Sequence, residues 1–319
     1  MKINCSIVVP VYNEELVINE TYKRLKVVMD STKESYEIIF VNDGSCDSTR
    51  NKIQNLCKKD ENLILLNFTR NFGHQAAISA GMELSRGAAV VVIDGDLQDP
   101  PETIINMLEK WKDGYEVVYG KRIKREGESS FKKFSAAVYY RLLSRITNTD
   151  IPVDTGDFRL IDRKVCNELV ALPEKNRYIR GLVSWIGYRQ TFVEFSRQER
   201  YAGKTKYSFG KMFKLALDGI TSFSYKPLAL SGYMGIGTFF LGAIMFVVSI
   251  IKELIRRNYT LNLEMILSIN LIMFGMIFCI LGLMGQYIGR IFDESKGRPL
   301  YIVESKINYK RVDKYAIGS

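Results

Sequence analysis

The feature that most constrains the fold of this chain is a regular alternation of short apolar runs and amphipathic stretches between residues 3 and 120. The apolar runs read CSIVVP, YEIIFVN, LILLNF, AAVVVID and YEVVYG. Apolar residues recur at helical spacing in the stretches between them, at 16–29, 48–57, 75–84 and 102–111. Because a strand buried on both faces is almost continuously apolar, and parallel neighbours need a helical crossover, this pattern predicts an α/β domain with a mostly parallel sheet.

Two later stretches are long, apolar and free of charge. Residues 229–251 and 265–289 contain no Asp, Glu, Lys or Arg. About 20 apolar residues are enough to span a bilayer, whereas helices of this length in soluble proteins usually carry a charged face. We therefore predict a two-helix transmembrane hairpin over residues 227–291. A pair of buried helices in a soluble core is the alternative.

Two spans would return the chain to the side on which it begins. Residues 1–226 are then one cytosolic domain, and residues 292–319 are a basic cytosolic tail, in keeping with the excess of Lys and Arg on cytoplasmic flanks. The loop 252–264 also carries three basic residues, which weakens that signal. The start, MKINCSIVVP, lacks the features of a secretory signal peptide. We expect a multi-pass protein of the inner, or plasma, membrane.

Two further segments have the pattern of membrane-surface helices. Residues 131–146 and 208–222 place phenylalanine and aliphatic side chains at helical spacing among Lys and Arg. Basic amphipathic helices of this kind lie in the membrane interface and favour anionic lipid. Ordinary core packing is an equal alternative for the second segment.

The overall charge of the chain favours anionic partners. Its 45 Lys and Arg against 35 Asp and Glu give a formal net charge of +10. Such a balance suits nucleic acid, nucleotide phosphates or an acidic membrane surface, and charge alone does not choose among them. The five cysteines have neither metal-binding nor CxxC spacing, which argues against structural zinc and a disulfide framework. A choice among these partners needs the motifs of the chain, and the family resemblance that they carry implies phosphate-bearing ligands and lipid, with no nucleic acid.

Polar side chains follow three of the apolar runs. The residues concerned are Asn13 and Glu14 after the first run, Asp43 and Asp47 after the second, and Asp94, Asp96 and Gln98 after the fourth. In open α/β sheets, ligands bind beyond the carboxyl ends of the strands, near the point where the strand order reverses. We therefore expect these side chains to converge on one edge of the sheet.

Helix capping explains some of these acids but not all of them. Asp47 or Ser48 can cap the second helix, and Asp99 precedes a proline at the start of the fourth. Asp94 and Asp96 are separated by one glycine and would repel each other unless a cation lies between them. Carboxylate oxygens suit Mg²⁺ or Mn²⁺, which commonly bind substrate phosphates as well.

The ordered set of motifs resembles a known family. VVPVYNEE, VNDGSCDST, NFGHQAAISAG, DGDLQDPPE, DTGDFRLIDR and RYAGKTKYSFGKM, followed by the two apolar stretches, are similar to family 2 inverting glycosyltransferases of the GT-A fold. Within that family they resemble the polyprenyl-phosphate glycosyltransferases, which include dolichol-phosphate mannose synthases and bactoprenol glucosyltransferases. The resemblance implies a Rossmann-like GT-A catalytic domain followed by two transmembrane helices.

The same resemblance implies a reaction. A hexose, with glucose favoured, would pass from a UDP-sugar to a polyprenyl phosphate such as undecaprenyl phosphate. UDP-GlcNAc or GDP-mannose are alternative donors. A membrane-anchored nucleotidyltransferase is a less favoured class, because VVPVYNEE lacks the glycine-rich basic loop usual after the first strand of such enzymes. A membrane scaffold without catalytic activity is the third class.

Donor-site roles follow from the resemblance, residue by residue. Asp43 matches the acid that reads the uracil edge, and Asp94 matches an acid on the ribose side. The cation, Mg²⁺ or Mn²⁺, would be held by Asp96 and Gln98 against the donor diphosphate, which also makes Asp96 a catalytic residue. The loop around the base and ribose is matched by Pro10, Tyr12 and Glu14.

Acceptor-site roles follow in the same way. Asp157 matches the acid beside the acceptor, usually called the base. A phosphate monoester has its second pKa near about 6, so the acceptor has little proton to give and Asp157 could equally orient the site or favour developing positive charge. Arg200 and Lys206 are predicted to contact the acceptor phosphate. His74, the only histidine, is expected to make a local hydrogen bond, and glycines in the apolar stretches favour self-association through the transmembrane helices.

Overall fold

A computed structural model describes residues 3–123, 155–196, 237, 244 and 263–309 of the 319. Its strands are β1 (Cys5–Val11), β2 (Tyr36–Asn42), β3 (Leu63–Phe68), β4 (Ala89–Val92), β5 (Val117–Arg122), β6 (Thr155–Asp162), β7 (Gln190–Phe195) and β8 (Val303–Ile307). Its helices are α1 (Ile18–Thr32), α2 (Thr49–Cys57), α3 (His74–Leu84), α4 (Thr103–Lys112), α5 (Arg163–Ala171), α6 (Ile179–Ile186) and α7 (Leu263–Ser295).

The described strands form one mixed sheet in the order β7-β5-β6-β4-β1-β2-β3-β8. Strands β1 to β4 are parallel to their neighbours among themselves, and β5 is parallel to β7. Strands β6 and β8 run antiparallel to their partners. The α/β prediction and the five predicted strands are confirmed, but the sheet is mixed because β6 enters between β4 and β5, a pairing that local sequence does not reveal.

Both faces of the sheet are covered. Along β1, Ile7 and Val9 belong to one buried apolar cluster and Val8 to the other. Successive strand residues point to opposite faces, so a strand with helices on both sides is apolar at most positions. This accounts for the unbroken apolar runs from which the strands were predicted.

The edge strand β8 comes from the segment that the sequence indicated only as a basic tail. It pairs with β3 in antiparallel register, with Leu65 opposite Ile307 and Asn67 opposite Ser305. Asn308 then donates from Nδ2 to the carbonyls of Cys57, Asp60 and Leu63 at 2.6 to 3.1 Å. The chain after α7 therefore completes the sheet of the N-terminal domain.

Several predictions on the membrane region fall outside what the structure describes. The first apolar stretch, 229–251, is described only at Gly237 and Ile244, and the amphipathic segments 131–146 and 208–222 are not described. The second apolar stretch, 265–289, lies within α7. Over the parts of the chain that the structure describes, no helix combines the length and apolar character that a membrane crossing needs. The domain boundaries stay predictions.

Candidate active site

The strand order reverses between β1 and β4, and most of the predicted site residues follow the strands beside this point. In the order β3-β2-β1-β4, strand β1 lies between β2 and β4. The chain adds β2 and β3 on one side of β1 and then crosses over to add β4 on the other side. The carboxyl ends of the strands open there into a crevice, the usual ligand site of open α/β sheets. Pro10 lies buried in β1, Tyr12 is 36% exposed just after it, and Asp43 follows β2.

Asp43 joins the loops that follow β2 and β3. Its carboxylate accepts backbone hydrogen bonds from Phe72 at 2.7 Å and from Gly73 at 3.0 Å. Burial raises the pKa of this carboxyl group, an effect that the two hydrogen bonds oppose. Gly44 has φ +66°, and a Cβ there would lie 2.4 Å from the backbone carbon of Arg70. The two loops are therefore packed backbone to backbone around the Asp43 carboxylate.

The loop after β1 rests on the loop after β2. Asn13 donates its backbone N–H to Ser45 Oγ at 2.9 Å and accepts from the backbone of Cys46 at 2.8 Å. Glu14 donates its backbone N–H to Thr49 Oγ1 at 2.8 Å. Asn13 has φ 52°, which asparagine tolerates better than most residues. Glu14 and Asp43 thus belong to connected loops, as the predicted donor site requires.

The loop after β4 presents Asp94, Asp96 and Gln98. The Asp96 carboxylate accepts a hydrogen bond from the backbone N–H of Gln98 at 3.1 Å, which closes a turn with Leu97 at its centre. Leu97 has φ 60°, a backbone conformation that residues other than glycine rarely adopt. Backbone in this region is strained for a branched residue and often marks a functional site. Leu97 is only 2% exposed, so core packing can hold the turn in this shape.

The donor set of this turn fits a hard divalent cation. Asp96 and Gln98 would supply one carboxylate oxygen and one amide oxygen, and Mg²⁺ is typically held by few protein oxygens together with water and phosphate. Among the described residues, no group of three or more His, Cys, Asp or Glu side chains is placed to hold a metal ion. Any cation here would therefore depend on donor phosphate for the rest of its coordination.

Asp94 lies on the side of the crevice where His74 and Asp157 are also found. Burial raises the pKa of its carboxyl group to about 6, and the nearby charges of Asp157, Asp99 and Asp96 add to the effect, while His74 opposes it. Its Oδ1 atom is buried without a hydrogen bond and lies 3.4 Å from Nε2 of His74. An under-satisfied buried acceptor of this kind is available to a ligand hydroxyl.

His74 bridges two carboxylates that come from different strands. Its Nε2 atom lies 3.4 Å from Asp94 Oδ1 and 3.3 Å from Asp157 Oδ2. Burial lowers the pKa of His74, but the hydrogen bond to Asp157 and the charges of both acids outweigh it and raise the pKa to about 9. The expectation of a local hydrogen bond was wrong, because the start of α3 lies at the carboxyl edge, where the residues after β4 and those of β6 also meet.

Asp157 is held by a bidentate arginine. Arg180 Nε lies 2.8 Å from Oδ1 and Arg180 Nη2 lies 3.1 Å from Oδ2 of Asp157. Burial by itself raises the pKa of the Asp157 carboxyl, but the charge of Arg180 and the hydrogen bonds from His74 and Arg180 hold it well below its usual range. The group is therefore a fixed anion and a weak proton acceptor.

A buried arginine fixes the backbone that carries Asp157. Arg159 is 1% exposed, and its Nη2 atom donates to the carbonyl of Gly156 at 2.9 Å and lies 3.7 Å from Asp157 Oδ1. Its Nη1 atom has no hydrogen-bond partner. Two arginines thus join His74 at one carboxylate, and sequence reasoning missed both of them. Arg180 lies 23 positions from Asp157 on α6, and no local pattern marks it.

The two residues predicted to bind acceptor phosphate, Arg200 and Lys206, lie outside the described residues. All the other predicted site residues are described. The structure brings Asp94 and Asp157 together through His74, and it joins the loops of Glu14 and Asp43. Their assignment to donor, metal and acceptor stays a prediction.

Comparison with known proteins identifies the family. Residues 6–170 match the family described as "Glycosyl transferase family 2". The "Uncharacterized glycosyltransferase YkcC" of Bacillus subtilis (strain 168) is 57% identical over 305 residues, which cover 95% of this chain and 94% of that protein. The chain therefore belongs to glycosyl transferase family 2 and is a glycosyltransferase.

More distant relatives have names that specify an activity. The "Bactoprenol glucosyl transferase" of Shigella phage SfV is 40% identical over 94% of this chain and 98% of its own length. A "Prophage bactoprenol glucosyl transferase homolog" of Escherichia coli (strain K12) is also 40% identical over the same shares. The solved structure of glucosyl-3-phosphoglycerate synthase from Mycobacterium tuberculosis with Mn²⁺, uridine-diphosphate and phosphoglyceric acid matches 69% of this chain and 78% of its own, at 18% identity and a TM-score of 0.49. That last similarity is too weak to support an argument.

Proposed function

We propose that this protein transfers a hexose, glucose by preference, from a UDP-sugar to a polyprenyl phosphate such as undecaprenyl phosphate, with inversion at the anomeric carbon. The observation that carries the proposal is the convergence of Asp94 and Asp157 at the crevice beside β1, next to the loop of Asp96. The 40% identity to bactoprenol glucosyl transferases over nearly the whole of both chains supports the lipid acceptor.

The loops after β1, β2 and β3 are suited to bind the nucleotide. Both carboxylate oxygens of Asp43 lie where the loops meet, and each accepts one backbone hydrogen bond. Each oxygen has a further lone pair that can accept a hydrogen bond from the edge of a uracil base. Tyr12 lies at the mouth of the same loops and is exposed enough to pack against a base or ribose. Asp94, whose buried Oδ1 atom has no hydrogen-bond partner, faces the position proposed for the ribose and sugar.

Asp96 and Gln98 are proposed to hold Mg²⁺ or Mn²⁺ against the donor diphosphate. When bound, a divalent ion stabilises the negative charge that develops on the leaving nucleoside diphosphate. The strained turn at Leu97 keeps the Asp96 carboxylate and the Gln98 backbone in one compact loop. These residues therefore orient the diphosphate, and Asp94 and Asp157 lie on the side where the sugar would be attacked.

Asp157 acts in this proposal as a fixed anion. The pair with Arg180 keeps the pKa of Asp157 well below its usual range, so the group does not take up a proton near neutral pH. A polyprenyl phosphate is largely dianionic at that pH and needs no deprotonation. The carboxylate instead orients the sugar and stabilises the positive charge of an oxocarbenium-like transition state, as carboxylates do in glycosidic cleavage.

The acceptor is proposed to approach from a bilayer. The stretches 229–251 and 265–289 have the length and lack of charge of transmembrane helices, and Arg200 and Lys206 precede them in a basic segment suited to a lipid phosphate. Strand β8 follows both stretches and lies in the sheet of the N-terminal domain. This pairing supports an even number of crossings between them, with the whole domain on the cytosolic face of the plasma membrane.

A labelling experiment tests the function. Membranes containing the protein are incubated with polyprenyl phosphate and a panel of radiolabelled UDP-glucose, UDP-GlcNAc and GDP-mannose, each with Mg²⁺ or Mn²⁺. We expect label in the lipid extract from UDP-glucose, with no transfer in EDTA or by Asp96→Ala. Label released as sugar 1-phosphate, by transfer of the nucleoside monophosphate to another phosphate, would instead show a nucleotidyltransferase, and the absence of any product would show a scaffold.

A further inference from the structure

The C-terminal strand β8 reaches the donor loops through two separate lines of contact. It follows α7 after only seven residues, and Glu294 near the end of that helix accepts a hydrogen bond from the backbone of Lys175 at 2.7 Å. The segment is thus fixed to the domain before the strand begins. Its contacts lead to the carboxyl end of β3, from which the loop around Asp43 continues.

The first line of contact is aromatic. The Tyr301 ring stacks on Phe68, with centroids 4.9 Å apart and an interplanar angle of 12°. Phe68 in turn meets Phe72 edge to face, with centroids 5.7 Å apart. Phe72 supplies one of the two backbone hydrogen bonds to Asp43. The backbone of Ile302 also accepts from Thr69 at 3.1 Å, which ties the segment to the first residue after β3.

The second line is polar and crosses three strands. Ser305 Oγ accepts from Asn67 Nδ2 at 2.9 Å, and Asn67 Oδ1 accepts from Asn42 Nδ2 at 3.0 Å. Asn42 Oδ1 then accepts the backbone N–H of Ser45 at 3.1 Å. Ser45 holds the loop of Asn13 through its hydroxyl group. Asn42 and Asn67 are 2% and 0% exposed, so this chain of amides is shielded from competing water.

We propose that the segment 301–305 is a positioning element of the nucleotide site, and that Tyr301 and Ser305 are its positioning residues. This inference rests on the proposed function, because it takes the Asp43 loops to be the place where UDP binds. Tyr301 sets the position of the loop that donates to Asp43, and Ser305 sets the loop between β2 and α2. The part of the chain that follows the apolar stretches thereby controls donor affinity without touching the donor.

The physical basis is preorganisation of the loops. Neither loop has regular secondary structure, so each must be ordered before it can bind a base with fixed geometry. A stacked aromatic pair and a buried hydrogen bond are contacts of moderate strength. Their loss should increase the population of disordered loops. Helix α3, which carries His74 and is buried from Ala76 to Met82, should still hold His74 against Asp94 and Asp157, so the chemistry continues in the molecules that bind donor.

UDP binding by the full-length protein in detergent tests the inference. We expect Tyr301→Ala to raise the Kd for UDP about five- to tenfold, and Ser305→Ala to raise it about threefold. The value of kcat at saturating UDP-sugar should stay within about twofold of wild type, so that the change appears in KM. Tyr301→Phe keeps the stacked ring and removes only the hydroxyl that donates to Glu83, so it should restore wild-type affinity.

Controls separate this inference from the proposed function and from loss of the fold. Ile302→Ala removes a side chain that is 51% exposed and keeps the backbone contact, so it should bind UDP as wild type does. If Asp43→Asn leaves UDP affinity unchanged, the nucleotide site itself is misplaced. If Asp43→Asn weakens UDP but Tyr301→Ala does not, only the positioning role is overturned. Should Tyr301→Ala fail to fold, Tyr301→Leu, which keeps apolar bulk without a ring, must show the same loss.

Discussion

Individual side chains of the candidate site owe their properties to partners distant in sequence. The motif around Asp157 predicts an acid beside the acceptor, but Asp157 is a fixed anion because Arg180 and His74 converge on it. A histidine in water has a pKa of about 6.5. The two carboxylates beside His74 raise the pKa of its imidazole to about 9. Each ionisation state therefore belongs to the cluster rather than to the residue, and each can be tested by one substitution.

Asp157→Asn should separate catalysis from donor binding. The amide keeps the size of the side chain but removes the charge that Arg180 and His74 face, so we expect turnover to fall about 100- to 1,000-fold. The Kd for UDP should change by less than about twofold, since the Asp43 loops are untouched. Steady-state kinetics and calorimetric titration give the two values. A collapse of UDP affinity instead would place Asp157 in the donor subsite.

His74→Asn should reduce stability in a pH-dependent way. A raised folded-state pKa means that charged His74 stabilises the fold fully below about pH 6.5, and that this contribution is lost as the pH rises through about 9. The side chain is 34% exposed, so solvent screening limits the contribution to about 1 kcal/mol.

Urea unfolding without donor and in EDTA measures this effect. Fluorescence reports on the domain, because both tryptophans, Trp111 and Trp185, lie in it. Wild type should be more stable than His74→Asn at about pH 6 and nearly equal to it above about pH 9.5. A difference that is the same at both pH values would mean that the charge of His74 contributes nothing.

At the scale of elements, the loops at the carboxyl edge depend on close backbone contact as well as on side-chain hydrogen bonds. Five strands and the helices between them follow from the alternation of apolar runs, because burial on both faces dictates the residue type at each strand position. The loops follow no such rule. The missing side chain of Gly44 lets the turn after β2 approach the backbone of Arg70, and the buried side chain of Leu97 helps to hold its turn at φ 60°.

Gly44→Ala should weaken UDP binding by about tenfold or more. The residue has φ +66°, and the added Cβ would lie 2.4 Å from the backbone of Arg70, so the loops around Asp43 must separate. Gly114→Ala is the matched control, since Gly114 has φ +92° but a methyl group added there would meet no neighbouring atom within 4 Å. It should cost about 1 to 2 kcal/mol of stability and leave UDP affinity intact. Equal UDP affinities in the two variants would show that the close approach is unimportant.

For the whole molecule, the sheet joins two parts of the chain that lie on either side of the apolar stretches. Strand β8 is hydrogen-bonded to β3, although the apolar stretches separate the two strands in sequence. Glu304 of β8 also forms an ion pair with Arg50 of α2 at 2.9 Å. By sequence alone a protein ending near Lys226 would be a complete donor-binding domain. In the structure β8 pairs with β3, so such a protein would lack β8 and expose the unpaired edge of β3.

Truncation after Lys226 should therefore impair donor binding as well as transfer to lipid. We expect the Kd for UDP to rise about tenfold or more, together with a tendency to aggregate through the free edge of β3. Calorimetric titration and light scattering measure these effects, with the full-length protein as reference. If the truncated protein binds UDP as tightly as the full chain, the donor loops do not need the C-terminal strand.

Three features that the sequence by itself determined rest on local pattern: the α/β class, the five strands in the first 120 or so residues, and the acids at the ends of those strands. Burial on both faces of a strand, and the polar residues at its end, each leave a pattern within a few consecutive residues, so a single sequence is enough to predict them. Only the tertiary structure decided the mixed order of the sheet, the pairing of His74 and Arg180 with Asp157, and the return of β8 to β3. These are contacts between distant segments, and their free energy depends on complementary surfaces that exist only once the chain has folded.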